Sequence, residues 1–168
     1  MLVFLVGMMG SGKSTLGRQL AQMLGYTFID LDEYIEQREQ KTIPAIFADQ
    51  GENTFRQKER DALQAVVQEY ADAVVATGGG TPCFFDNINF MNQQGKTVFL
   101  AVPPEAIVRR LTVTDLNTRP LLAGKSEAEI TSFMVKTLAH RVWFYQQAKY
   151  TAEGAAITAS QLAQLLNQ

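Results

Sequence analysis

Residues 7–14 read Gly-Met-Met-Gly-Ser-Gly-Lys-Ser, which has the spacing G-x-x-x-x-G-K-[S/T]. Glycines so placed let successive backbone N–H groups wrap around phosphate oxygens, and a helix N-terminus behind them adds a favourable dipole. Gly10, Ser11, Gly12, Lys13, Ser14 and Thr15 are therefore candidates to bind a nucleoside triphosphate. Lys13 should reach the β- and γ-phosphates, and the Ser14 hydroxyl should bind Mg²⁺. Asp30 and Asp32 come next, at the end of a short apolar run. Positions two apart on an extended strand share a face, so both carboxylates are expected to point into one cleft. There they could hold a metal's water shell and an acceptor hydroxyl. A solvated pair of acids, or Asp32 as a helix cap, is the structural alternative.

Three arginines carry the rest of the candidate chemistry. Arg56 lies within one helical turn of Glu52 and Glu59. That is either a surface ion-pair set or a guanidinium braced for an anionic ligand, and the helix alone leaves both open. Arg141 falls in the apolar sector of its helix, among Ile130, Phe133, Met134, Thr137, Leu138, Phe144 and Tyr145. A charge on an inward face must be paired or face a polar cavity, so an internal salt bridge competes with an anionic substrate. Arg119, in Arg119-Pro120-Leu121-Leu122, reads as a lid residue that brings a cation to a transferring phosphate, with a solvated loop arginine as the alternative.

These residues need elements to position them. Leu2–Val6 is an apolar run ended by Gly7, and a helical pattern with Leu16, Leu20 and Leu24 then closes at Gly25. Residues 27–30 read as a second strand, 31–39 and 42–50 as short helices, and 52–70 as a long amphipathic helix. Strands are expected near 74–76 and 97–102, with a helix to about Leu111 and an aperiodic lid over 112–125. Ser126 and Glu129 have the capping-box spacing for a helix to about Gln147; a strand near Tyr150 and a helix from Ser160 follow. Alternating strands and helices imply a parallel sheet covered on both faces, whose ligands bind beyond the strands' carboxyl ends. The phosphate loop, the two aspartates and Gly78–Gly80 should then share one edge.

The 168 residues are the size of one domain, with 46% hydrophobic and 19% charged residues. A net charge of -2 argues against a nucleic-acid partner. No apolar stretch is long enough to span a membrane, and the N-terminal run lacks a leader's basic start. Cys83 is alone, with no disulfide or metal-ligand partner, which points to a packed thiol in a cytoplasmic protein. A phosphate loop does not name its acceptor. The guanine-reading Asn-Lys-x-Asp of GTP switches is missing, and the third strand runs into Thr77-Gly78-Gly79-Gly80 rather than the Asp of a motor ATPase. Small-molecule or nucleotide kinases remain.

Taken together, the phosphate loop, Phe28-Ile29-Asp30-Leu31-Asp32, Ile43–Phe47 with Gly51-Glu52 and Phe55-Arg56, Thr77–Gly80, Arg119–Leu122 and Arg141–Tyr145 resemble the shikimate kinase family. The resemblance implies an α/β three-layer P-loop kinase fold, its five-stranded parallel sheet in the order 2-3-1-4-5. It implies ATP-dependent phosphorylation of the shikimate 3-hydroxyl, with acceptor-binding helices over about 31–60 and a monomer acting on ATP and shikimate alone. By the same resemblance Asp32, Arg56, Gly78, Gly79, Gly80 and Arg141 would bind shikimate, the two arginines gripping its carboxylate. Phe47, Phe55 and Glu59 would line or brace that pocket. Asp32 would orient the 3-hydroxyl and take its proton, and Asp30 would hold Mg²⁺ through water. Arg110 would stack on adenine and Arg119 would bind ATP. Gln40 stands where the family often has Gly. Gluconate kinase is the nearest rival, but the chain lacks its Asp-Gly-Asp with a following His; a non-catalytic nucleotide-dependent module is the other.

Overall fold

The structure is a computed structural model that describes residues 1–111, 116 and 122–168. Five strands form one parallel sheet: β1 (Leu2–Val6), β2 (Thr27–Asp30), β3 (Ala73–Ala76), β4 (Gly95–Ala101) and β5 (Tyr150–Glu153). Their order is β2-β3-β1-β4-β5, as the family resemblance implies. Among the described residues seven α-helices flank it: α1 (Lys13–Leu24), α2 (Leu31–Glu39), α3 (Ile43–Glu69), α4 (Asn87–Gln94), α5 (Pro104–Arg110), α6 (Glu127–Tyr145) and α7 (Ala159–Leu166).

The strand period of two sorts the core into two layers. Leu2, Phe4 and Val6 of β1 face α2–α6, where Leu31, Ile46, Leu63, Met91, Ile107 and Met134 are buried. Val3 and Leu5 face the other way, onto Leu16, Leu20 and Ala21 of α1 and Leu162 and Leu166 of α7. β1 is therefore buried along its whole length, which fixes the loop leaving its carboxyl end.

Gly51, at φ 81 and ψ 171, breaks α3 into the two helical stretches expected on either side of it. Gln40 ends α2 in the left-handed region, φ 54 and ψ 35, the conformation that favours the Gly often found there. Ser126 caps α6 by accepting from the Glu129 N–H. Glu129 does not return the bond to the Ser126 backbone; its carboxylate instead accepts from the Ser126 hydroxyl at 3.1 Å.

One expectation needs correction. Asp32 does not share a strand with Asp30: it lies in the first turn of α2, because Asp30 itself caps that helix by accepting from the Asp32 and Glu33 N–H groups. The cap is thus Asp30, not Asp32. The chain from 81 to 94 also carries a 3-10 turn (Thr81–Cys83) and α4, neither of which the sequence pattern indicated. Arg119 and most of the expected lid over 112–125 lie outside the described residues.

Candidate active site

β1, β2 and β3 all end at one edge, and the segments that leave them build a cleft of about 1090 Å³. Gly10, Gly12, Lys13, Ser14 and Thr15 line one side, Asp30 and Asp32 the far wall, and Thr77, Gly78 and Gly79 the floor beyond β3. Gly7, Gly10 and Gly12 have φ of 147, 75 and 98, so the loop takes a path that side chains would strain. Lys13 is 8% exposed. Its ammonium donates to the carbonyls of Gly7 at 2.7 Å and Met8 at 2.8 Å, which draws the loop around it. Ser11 is buried and turns its hydroxyl inward to the Met8 carbonyl at 2.7 Å, so its side chain shapes the loop rather than facing the cleft.

Asp30 has two tasks. One carboxylate oxygen caps α2; the other accepts from the Ser14 hydroxyl at 2.6 Å. That brings together the two residues expected at a magnesium ion. Asp32 stands alongside, its carboxyl pushed up from the ordinary 3.8 to about 6. Burial is the main cause, with the Asp30 and Glu59 charges adding to it and the Lys13 ammonium opposing it. Its pKa is thereby tuned close to neutrality, where a carboxylate can both orient a hydroxyl and accept its proton.

The three glycines after β3 organise the other end of the site. A Cβ on Gly78 would fall 3.1 Å from Asp32 Oδ1, one on Gly79 2.9 Å from Arg141 Nη1, and one on Gly80 2.7 Å from both terminal nitrogens of Arg56. Three consecutive residues therefore each touch one of the three groups expected to read the acceptor. Arg56, Arg141, Glu59, Phe47 and Phe55 do not line the phosphate-loop cleft itself; they sit beyond its glycine floor. The Cys83 thiol, in the turn itself, feels both guanidinium charges. Burial outweighs them and lifts it to about 11, so Cys83 is a packed neutral thiol.

Arg56 is held rather than consumed. Its Nη1 donates to Glu59 at 3.0 Å, Glu52 lies 3.6 Å from its Nε, and its guanidinium stacks 4.0 Å over the Phe84 ring. The Nε has no hydrogen-bond partner among the described residues. Glu59 is 1% exposed and keeps its second oxygen satisfied by the Thr81 hydroxyl at 2.8 Å. Phe55 is buried beneath Arg56, and Phe47, partly exposed, tilts against Phe55 at 4.7 Å. Arg141 forms no ion pair with a carboxylate among the described residues, so the internal salt bridge weighed against a ligand role is not seen there. At the opposite end, Arg110 donates to the Ala155 carbonyl and lines the cleft with Leu111 and Ile157.

A P-loop edge facing two guanidiniums and a poised carboxylate fits a kinase for a small anionic alcohol, and comparison with known proteins decides which. The shikimate kinase family model matches residues 9–168. A shikimate kinase of Bacteroides thetaiotaomicron is 48% identical over 148 residues, spanning 88% of this chain and 83% of that protein. The chain belongs to the shikimate kinase family. Its structure agrees: a crystal structure of shikimate kinase from Bacteroides thetaiotaomicron superposes with a TM-score of 0.91 at 41% identity, over 99% of this chain and 98% of that one. The shikimate kinase of Acinetobacter baumannii in complex with shikimate gives 0.84 at 37% identity, over 97% and 88%. The chain is thus an ATP-dependent kinase of this family.

Several residues around the site escaped the reading of the sequence. Ile157 and Leu111 join Arg110 in the cleft because Gly154–Thr158 folds back over α5, a tertiary contact with no local signature. Phe84 lies under Arg56 and Thr81 supports Glu59, both from the turn that carried no period. Thr77 could have been found: a polar residue buried at a strand's end marks the edge where ligands bind, and its hydroxyl donates to the Leu5 carbonyl at 2.9 Å.

Proposed function

We propose that this chain transfers the γ-phosphoryl group of ATP to the 3-hydroxyl of shikimate through the residues assembled at this edge, giving ADP and shikimate 3-phosphate for aromatic amino acid synthesis. The observation that carries the assignment of roles is the packing of Asp32, Arg141 and Arg56 against Gly78, Gly79 and Gly80 in turn. A ring carboxylate gripped by two planar guanidiniums would present one ring hydroxyl to Asp32 and the phosphate loop. Asp32 takes the proton of that hydroxyl as its oxygen bonds to phosphorus, and the bond from phosphorus to the β-phosphate bridging oxygen breaks. Loop N–H groups and Lys13 stabilise the charge spread over the phosphoryl oxygens.

The Ser14 hydroxyl and the Asp30 carboxylate, 2.6 Å apart, are hard oxygen donors of the kind Mg²⁺ takes when phosphates and waters complete its shell. Ser14, and Asp30 through water, would hold the ion, whose charge would offset that of the phosphates. Arg110 with Leu111 and Ile157 would receive adenine, and Arg119 would approach the transferring phosphate from a lid over 112–125. In this reading the partners are ATP and shikimate, not nucleic acid or membrane, and the protein is a cytoplasmic monomer. No described helix is long and apolar enough to cross a membrane.

Steady-state ADP release with shikimate and with an analogue lacking the carboxylate tests the role of the arginines. The analogue is expected to lose about 2–5 kcal/mol in kcat/KM, the range for breaking a desolvated charge pair. Equal kcat/KM for the two would leave Arg56 and Arg141 without their assigned ligand.

A further inference from the structure

Tyr145 ends α6 with its side chain fully buried, the ring tilted against Phe99 at 5.1 Å. Burying a phenol hydroxyl requires partners for it. The hydroxyl donates to the Gly79 carbonyl at 2.7 Å and lies 3.8 Å from the Met8 sulfur. The Arg141 guanidinium, one turn earlier on α6, packs against the same glycine: its Nη1 lies 2.9 Å from where a Cβ on Gly79 would fall. The hydroxyl has one proton, and the short contact commits it to the Gly79 carbonyl. The hydroxyl thus ties α6 to the glycine against which Arg141 packs, beside Met8 of the phosphate loop. Packing does not ask for that atom, since phenylalanine would fill the same space.

We propose that Tyr145 is a positioning residue of the acceptor site, its hydroxyl setting the Arg141 guanidinium and the Gly79–Gly80 peptide in one fixed relation. The proposal rests on the reading of Arg141 as a carboxylate receptor. The floor has no side chains of its own to anchor it. A planar trans peptide whose C=O is held by Tyr145 must turn the Gly80 N–H the opposite way, so this one bond orients the whole unit. The next residue is where Arg56 packs, 2.7 Å from a Cβ on Gly80. Release of the Gly79 carbonyl would therefore loosen the seats of both guanidiniums. The phosphate loop has its own internal bonds through Lys13 and Ser11 and should not depend on the hydroxyl.

The test measures KM for shikimate and for ATP in Tyr145→Phe, Arg141→Lys and the double variant. Phe99→Leu serves as a control that disturbs the ring packing but keeps the hydroxyl. Tyr145→Phe is expected to raise shikimate KM about five- to tenfold, the scale of one hydrogen bond, with ATP KM within about twofold. The double variant should lose less than the product of the two single effects, because both act on the one seat at Gly79. Phe99→Leu should lower Tm without moving shikimate KM. If Tyr145→Phe leaves shikimate KM unchanged, or shifts both KM values alike, while Arg141→Lys raises shikimate KM, the positioning role is wrong and the carboxylate reading stands. If Arg141→Lys leaves shikimate KM at the wild-type value, the carboxylate reading fails, and the role of Tyr145 falls with it.

Discussion

Asp32 shows how one residue's environment sets both function and stability. Its carboxyl titrates at about 6 in the folded protein against an ordinary 3.8. Because the folded value is raised, the fold favours the neutral acid. The carboxyl adds no penalty below about pH 4, and a cost develops as pH rises through 6. The shift corresponds to about 3 kcal/mol of lost stability at pH 8, as an order of magnitude. Asp32→Asn should therefore be more stable than wild type at pH 8, and the difference in Tm should vanish towards pH 4 while phosphoryl transfer is lost throughout. A Tm gap that does not change with pH would contradict the raised pKa. In the wild type, kcat/KM for shikimate should fall about tenfold per unit below pH 6. The residue types at this site were legible from the sequence; their geometry was only partly so. The sequence marks Asp30 and Asp32 as a pair, but strand alternation does not carry past Leu31, where the helix begins. Asp30 brings about that change by capping α2 with one oxygen. A carboxylate that both caps a helix and accepts from Ser14 cannot be told from a simple cap without the tertiary contact.

At the scale of elements, the segment after β3 explains why glycine recurs there. None of Gly78, Gly79 and Gly80 has a left-handed φ, so conformational freedom is not the reason. Each instead leaves room for a side chain that a Cβ would displace. Gly80→Ala places its methyl against the guanidinium of Arg56 rather than against backbone, in a helical conformation alanine accepts. It is expected to cost about 1–3 kcal/mol of stability and to raise shikimate KM at least tenfold, because the guanidinium must leave its seat. Thermal melts and steady-state kinetics on the same preparation check this, and an unchanged shikimate KM would mean that Arg56 does not need its present position. Elements with a strong period were visible in the sequence, β1 and α3 above all. α4 was not: its sequence Asn-Ile-Asn-Phe-Met-Asn-Gln-Gln is rich in weak helix formers and buries little beyond Ile88 and Met91. Packing holds it, with buried Asn87 donating to the Thr81 carbonyl and accepting from Arg60 on α3.

For the whole molecule, the sheet order follows from a few buried strands and the crossovers between them, and that order brings three loops to one edge. The phosphate loop, the Asp30–Asp32 segment and the glycine floor are far apart in the chain, yet the parallel register that pairs Leu5 with Ala76 and Asp30 with Ala76 stacks their starting points side by side. That convergence was readable as an expectation from alternating strands and helices. What was not readable is the fold-back after β5 that brings Ile157 to Arg110, since nothing in Gly154–Thr158 announces its partner. On this reading the edge couples ATP cleavage to one acid-bearing alcohol. A coupled assay of ADP release, run with shikimate, with gluconate and with no acceptor, each with and without a chelator of Mg²⁺, tests it most directly. ADP should appear only with shikimate and Mg²⁺, one molecule for each shikimate 3-phosphate formed. ADP release at the same rate without shikimate, or faster with gluconate, would show that the edge does not select this acceptor.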